Sequence, residues 1–362
     1  MPLSVVASQG RPLCISANGH RNAGPVKVGP IRLVTPKMTF SSAIGSLGHE
    51  GFGHGQLTSV PTRRRSVVKI NPPVVVGYDG SSQSRDAVWW GAHESALRAA
   101  PLLLLTTMFT PTTYGVPIGM PAFYFDEQEA AAKKRLAEAT ELAKQAIGER
   151  TVQIDVELAS DPPIPVLREI SKTARVIVVG SRGHGEYTGG LLGSVSSSLA
   201  VHSLCPVAVV RGLGGDEDVS VRPVVVGVDG SVHSEPAIAT AFEEASLRGV
   251  ELVAVHAWSD VVLDVVFSKF REVDWRARQD TERALLAESL AGFGDRYPDV
   301  PVNTVVVKDK PGQNLVHHTE RAQLVVLGRR GRGGFSGMLL GSTCREVLHD
   351  AHCPVLVVNS HR

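Results

Sequence analysis

The feature that most constrains this 362-residue chain is a glycine-spaced segment that occurs twice. The first copy is Gly180-Ser181-Arg182-Gly183, then nine residues, then Gly193-Ser194. The second is Gly328-Arg329-Arg330-Gly331, then nine residues, then Gly341-Ser342-Thr343. Gly328 lies 148 residues after Gly180, and the same distance separates Gly331 from Gly183, Gly341 from Gly193 and Cys353 from Cys205. A repeat of this length is a whole domain rather than a solenoid unit.

Each copy follows an apolar run, Val176-Ile177-Val178-Val179 or Leu324-Val325-Val326-Leu327, and precedes a segment with helical pattern. Each half also opens with a matching strand and turn, Val74-Val75-Val76-Gly77-Tyr78-Asp79-Gly80-Ser81 and Val224-Val225-Val226-Gly227-Val228-Asp229-Gly230-Ser231. Asp229 stands 150 residues after Asp79, because the middle loops differ in length. Between these landmarks both halves read strand and helix in alternation, with continuous Val/Ile/Leu strands. That pattern predicts parallel sheet covered by helices on both faces. The expected fold is α/β, with two tandem doubly wound parallel five-stranded sheets, each in strand order 3-2-1-4-5.

The expected division is an N-terminal extension over 1–68, a first domain over 69–212, a linker over 213–221 and a second domain over 222–362. Up to about Ser66 the chain is rich in Gly, Ser, Pro and His without helical or strand period, which predicts disorder. This stretch is expected to be dispensable for folding and binding, even a product of a start codon assigned too early. Its His49 and His54 are five apart with glycines between them, which does not make a metal-binding helix. Arg63-Arg64-Arg65 reads as part of a solvated tail.

Net charge is +1, so no global field argues for nucleic acid or an anionic membrane. No apolar run approaches the roughly 18 residues of a membrane span. The four cysteines form no C-x-x-C pair, which favours a reducing cytoplasm over a disulfide framework.

In an open parallel sheet, ligands bind at the carboxyl ends of the strands where the winding reverses. Order 3-2-1-4-5 sets strands 1 and 4 side by side at that switch, so the aspartate turn and the glycine loop converge on one crevice in each half. There the N-terminus of a helix can hold an anion, and the phosphate of a nucleotide is the natural candidate. Gly180, Gly183, Gly328 and Gly331 are expected to admit close backbone approach and positive φ. Gly193, Ser194 and Val195, with Gly341, Ser342 and Thr343, would present helix-start N–H groups and hydroxyls to phosphate.

Gly77 and Gly227 end the first strands. Asp79 and Asp229 are candidates for a ribose hydroxyl or a phosphate-bound Mg²⁺, against the plainer reading as helix caps. Met108 and Ala257, at the ends of the second strands, would offer backbone groups to a base, and Asp260 could reach a ribose or be a solvated loop residue. Arg182, Arg329 and Arg332 are candidates for phosphate, or ordinary loop arginines. Cys205 and Cys353 read as packing residues.

At these residues the chain resembles the universal stress protein family, in the tandem-domain form common in actinobacteria. The family's ATP signature, Gly-x2-Gly-x9-Gly-Ser/Thr, is met by Gly180, Gly183, Gly193 and Ser194 and again by Gly328, Gly331, Gly341 and Ser342. Asp79 and Asp229 match its strand-1 aspartate, and His202 to Val207 and His349 to Val355 match the segment before its last strand. At the end of strand 2, where the family often has His, the second half has His256 and the first has Thr106-Thr107-Met108.

The resemblance covers about residues 70–362. It implies an adenine-nucleotide alpha-hydrolase-like fold, two ATP sites with Mg²⁺, pairing of the domains through their last strands, and a role in stress or dormancy. A homodimer is a further expectation. The leading reading is a nucleotide-dependent regulator. The alternatives are a slow ATPase of the same fold, or an interaction module that uses edge strands Val207–Val210 and Val355–Val358 without nucleotide. No Gly-x4-Gly-Lys-Ser/Thr loop is present, so the lysine and hydroxyl of phosphoryl-transfer NTPases are missing.

Overall fold

The computed structural model describes residues 26–34, 71–108, 122–183, 192–212, 219–258, 275–332 and 339–359. The first half contains β2 (Val74–Gly77), α1 (Ser82–Leu97), β3 (Leu102–Thr107), α2 (Ala122–Ile147), β4 (Gln153–Ala159), α3 (Pro163–Ile170), β5 (Val176–Gly180), α4 (Ser194–His202) and β6 (Val207–Val210). The second contains β7 (Val224–Val228), α5 (Glu235–Arg248), β8 (Leu252–Trp258), α6 (Trp275–Leu290), α7 (Phe293–Arg296), β9 (Val302–Lys308), α8 (Pro311–Thr319), β10 (Leu324–Gly328), α9 (Ser342–Asp350) and β11 (Val355–Val358). Ahead of both lies β1 (Lys27–Val34).

The strands do not form two separate five-stranded sheets. They form one mixed sheet of eleven strands in the order β1-β4-β3-β2-β5-β6-β11-β10-β7-β8-β9. The expected pair of sheets is corrected by the seam between β6 and β11, which pair antiparallel with Val355 opposite Val209 and Val357 opposite Val207. Every residue of these two strands is buried. Strands so apolar, left as edges, would each present a row of unpaired backbone groups; pairing them inside one chain removes both edges. The strands proposed as a docking edge for other molecules are therefore already joined to each other.

A second departure lies in the segment expected to be disordered. β1 pairs parallel with β4, from Lys27 opposite Gln153 to Val34 opposite Ala159, with a register shift between Val28 and Ile31. Gly29-Pro30 falls at that shift, and a proline is tolerated there because it has no ladder donor to lose. Val28, Ile31 and Leu33 stay largely exposed, so the strand lacks the buried period that marks one in sequence.

Two apolar layers cover the sheet. Alternate strand residues point to opposite faces, so Val74 and Val76 join the layer of α1, α2, α5 and α6, while Val75, Ile177 and Val179 join that of α3, α4, α8 and α9. Across the seam, Glu94 of α1 and Arg98 at its C-cap meet Glu244 and Arg248 of α5, all under 10% exposed. Arg248 Nη2 lies 2.7 Å from Glu94 Oε2 and 2.9 Å from Glu244 Oε2, and Arg98 bridges the same two carboxylates.

Candidate functional site

β2 and β5 are adjacent and parallel, as are β7 and β10. Their carboxyl ends therefore leave the sheet together, and each pair opens on a cavity. The cavity of the first half has a volume of about 650 Å³ and is lined by Gly77, Asp79, Gly180, Arg182, Gly183, Gly193, Ser194 and Val195, among others. That of the second measures about 400 Å³ and is lined by Gly227, Asp229, Ala257, Gly328, Arg329, Gly331, Arg332, Gly341, Ser342 and Thr343, among others.

One of the expected residues is not brought in. Met108 packs beside the core, its backbone N–H bonded to the Ala159 carbonyl. Asp260 lies outside the described residues.

The turn after each first strand is built by its aspartate. Asp79 Oδ1 accepts from the Ser81 N–H at 2.9 Å, and Asp229 Oδ1 accepts from the Ser231 N–H at 2.9 Å and from the Ser231 hydroxyl at 2.7 Å. The left-handed residues here are Gly80 (φ 91°) and Gly230 (φ 70°). Ser81 then caps α1 by accepting from the Ser84 N–H. Positive φ is not what the loop glycines supply; their value is space. A Cβ on Gly331 would lie 2.6 Å from Asp229 Oδ2, and one on Gly183 would strike Asp79 Oδ2. At Gly180 a Cβ would meet the backbone of Gln83 at 2.7 Å, where α1 presses on the loop.

The glycine loops return to helices α4 and α9 through matching bonds. Gly193 N–H donates to the Ser181 carbonyl at 2.8 Å, and Gly341 N–H to the Arg329 carbonyl at 2.9 Å. Both glycines are extended N-caps without a side-chain cap bond. The first-turn amides of both helices thus start at the cavity wall, with the positive end of the helix dipole behind them. Arg182 lines the first cavity and Arg330 is its counterpart in the second. Arg329 also lines the second, but its guanidinium Nη1 donates to the Val201 carbonyl of the first half at 2.8 Å. Cys344, in the first turn of α9, is a packing thiol: burial pushes it up to about 12.

The walls at the ends of β3 and β8 differ between the halves. Thr106 Oγ1 donates to the Tyr78 carbonyl at 2.7 Å. His256 Nδ1 makes the same tie to the Val228 carbonyl at 2.8 Å, and its Nε2 lies 3.0 Å from Glu282 Oε2. Arg278 Nη2 holds the other oxygen of Glu282 at 3.0 Å and stands over the Trp258 ring. Glu282, Arg278 and Trp258 line the smaller cavity, and sequence reasoning missed all three. Their signal was available in part: α6 carries Arg278 and Glu282 four apart, hence on one face.

The universal stress protein family model matches residues 71–211 and again 220–359. A universal stress protein of Mycobacterium tuberculosis is 47% identical over 289 residues, which cover 78% of this chain and 96% of that protein. A second from the same organism is 42% identical over 292 residues, covering 78% of this chain and 95% of that one. Among solved structures, a universal stress protein from Archaeoglobus fulgidus superposes with a TM-score of 0.56 at 20% identity, over 80% of this chain and 99% of that one. With both halves matched and the doubled loop in place, the chain belongs to the universal stress protein family, as a tandem of two of its domains.

Proposed function

We propose that this protein is a regulator that binds two ATP molecules, one in each cavity, and acts in a stress or dormancy response. The observation that carries the reading is the repeated cradle. In each half a helix N-cap without a side-chain bond, a glycine loop with no room for a Cβ and an aspartate turn face one cavity. First-turn amides and loop N–H groups suit phosphate oxygens, and arginines Arg182 and Arg330 add charge at the same end. Thr106 and Thr107, or His256 and Ala257, form the opposite wall, where strand-end backbone groups would meet the adenine.

Beside the glycine loop, Asp79 and Asp229 give each cavity one carboxylate. That suits a Mg²⁺ which arrives on the phosphates and keeps most of its waters, not one held in a protein cage. Membership of the universal stress protein family supports a binding role over a catalytic one.

The test is to denature purified protein and quantify the small molecules released. Two adenine nucleotides per chain, mostly ATP, are expected. ADP or AMP in their place would favour slow hydrolysis. An empty protein that takes up no added ATP would overturn the reading in favour of an interaction module.

A further inference from the structure

Each cavity helix begins in its own half and ends against the other. Helix α4 starts at the first cavity and finishes at His202, across the seam. The last carbonyls of a helix have no partner within it. Here Arg329 Nη1 donates to the Val201 carbonyl at 2.8 Å, and Asn359 Nδ2 donates to the Ser203 carbonyl just beyond. Both donors come from the second half. Helix α9 starts at the second cavity and finishes at Asp350. Its carbonyls at Leu348 and His349 accept from the two Nη atoms of Arg211, which belongs to the first half; the Leu348 bond is 3.0 Å.

The donors are tied to the opposite loops. Arg329 is the second residue of the glycine loop at the second cavity. Its N–H donates to Val358 at 2.9 Å and its carbonyl accepts from Gly341, the N-cap of α9. One residue thus joins the loop of one cavity to the far end of the helix that opens the other. In the reverse direction Ser181, the equivalent loop residue of the first half, donates its N–H to the Val210 carbonyl at 2.7 Å. Arg211 is the next residue. A nine-residue helix is about 13 Å long and moves as a unit. Anion at its N-terminus and guanidinium at its C-terminus both complement its dipole, so each favours the same placement of the helix.

We propose that the two cavities are coupled through these crossed arginine contacts, so that filling one tightens the other. The inference rests on the nucleotide reading above. A phosphate that closes the second loop fixes the backbone of Arg329 and with it the end of α4, which sets the first cavity. A phosphate in the first cavity fixes Ser181, Val210 and Arg211, and so the end of α9.

The experiment is calorimetric titration with Mg-ATP of the intact protein, of Gly183→Val and Gly331→Val, and of the double substitution Arg211→Met with Arg329→Met. Asp79→Ala and Asp229→Ala replace the valine proteins if these do not fold. Each single-site protein is expected to bind more weakly than the same site does in the intact protein with its neighbour filled. The factor is fivefold or more, and equal in both directions, as linkage requires. The double arginine substitution should reduce that factor to near one, and Arg211→Lys, which keeps charge but not the forked contact, should lower it partway.

An intact-protein isotherm equal to the sum of the two single-site isotherms overturns the proposal, as does coupling that survives the arginine substitutions. Absence of any uptake by the intact protein rejects the nucleotide reading itself, whereas uptake at two independent sites rejects only the coupling.

Discussion

The backbone N–H of Arg332 donates to Asp229 Oδ2 at 2.7 Å. The turn after β7 and the glycine loop after β10 are therefore fastened to each other by one carboxylate, which also holds the Ser231 N–H and hydroxyl. The aspartate is both the wall of the cavity and the clasp that shapes it. Replacing Asp229 with Ala should lower stability by about 1–3 kcal/mol, because three donors lose their acceptor. Nucleotide should be weakened at the second cavity more than at the first. Asp229→Asn keeps one acceptor oxygen and should fall between. Thermal denaturation and titration of both variants check this; an unchanged melting temperature in Asp229→Ala would show that the clasp contributes nothing.

Gly331 passes so close to the same carboxylate that a methyl group cannot be inserted without displacing it. Gly331→Ala should therefore reduce nucleotide bound at the second cavity by tenfold or more, and leave the first cavity able to fill. Counting nucleotides per chain at a fixed ATP concentration reads the effect: a fall from two towards one is expected, and a value that stays at two would refute it.

The buried quartet at the seam makes stability depend on pH. Burial, with Glu94 as a like-charged neighbour, pushes Glu244 from 4.5 up to about 7. The folded state therefore binds this proton more tightly than the unfolded chain. The resulting stability is fully present below about 4.5 and is lost as pH rises through about 7, on the order of 1–3 kcal/mol. Glu94 runs the other way: burial raises it, but Arg248 and Arg98 outweigh burial and hold it below its ordinary value, so its contribution is lost as pH falls below that value. Glu244→Gln should flatten stability between pH 5 and 7.5, as measured by urea denaturation across that range. A wild-type slope of opposite sign would contradict the assignment.

A chain beginning at Asn71 would lack β1 and leave the edge of β4 open. We expect it to fold and to bind nucleotide at both cavities, because no described residue before Gly77 lines either cavity. It should melt a few degrees lower and self-associate more readily, since an uncovered strand edge recruits others. Sedimentation and titration together decide the point: loss of binding would assign the segment a role in the site.

The cavities were legible because their signals are local. Gly183, Gly193 and Ser194 lie within one loop and helix start, and Asp79 ends the strand before a capped helix; a second copy at constant spacing reinforces each signal. What joins the halves was legible from the family resemblance, which implied pairing through the last strands, and not from the residues themselves. Val207–Val210 and Val355–Val358 read as final strands in either arrangement, and only their partner decides between two sheets and one. Arg329 read as a phosphate candidate or an ordinary loop arginine; that its guanidinium donates to the Val201 carbonyl at the end of α4 is a relationship that no spacing along the chain records. β1 escaped notice because an edge strand interrupted by Gly29-Pro30 buries little. Thr106 and His256 perform the same tie with unlike side chains, so comparison of the two halves by residue identity passes over it.

The two domains that meet at the β6–β11 seam belong to one chain, so each finds its mate at an effective concentration that no cellular dilution alters. A symmetric pair of separate chains must repeat every substitution on both sides of its axis. A tethered pair is free of that constraint, and Thr106 in one half where the other has His256 is the kind of divergence it permits. The seam thus converts a duplicated domain into one molecule whose halves can take on unequal duties.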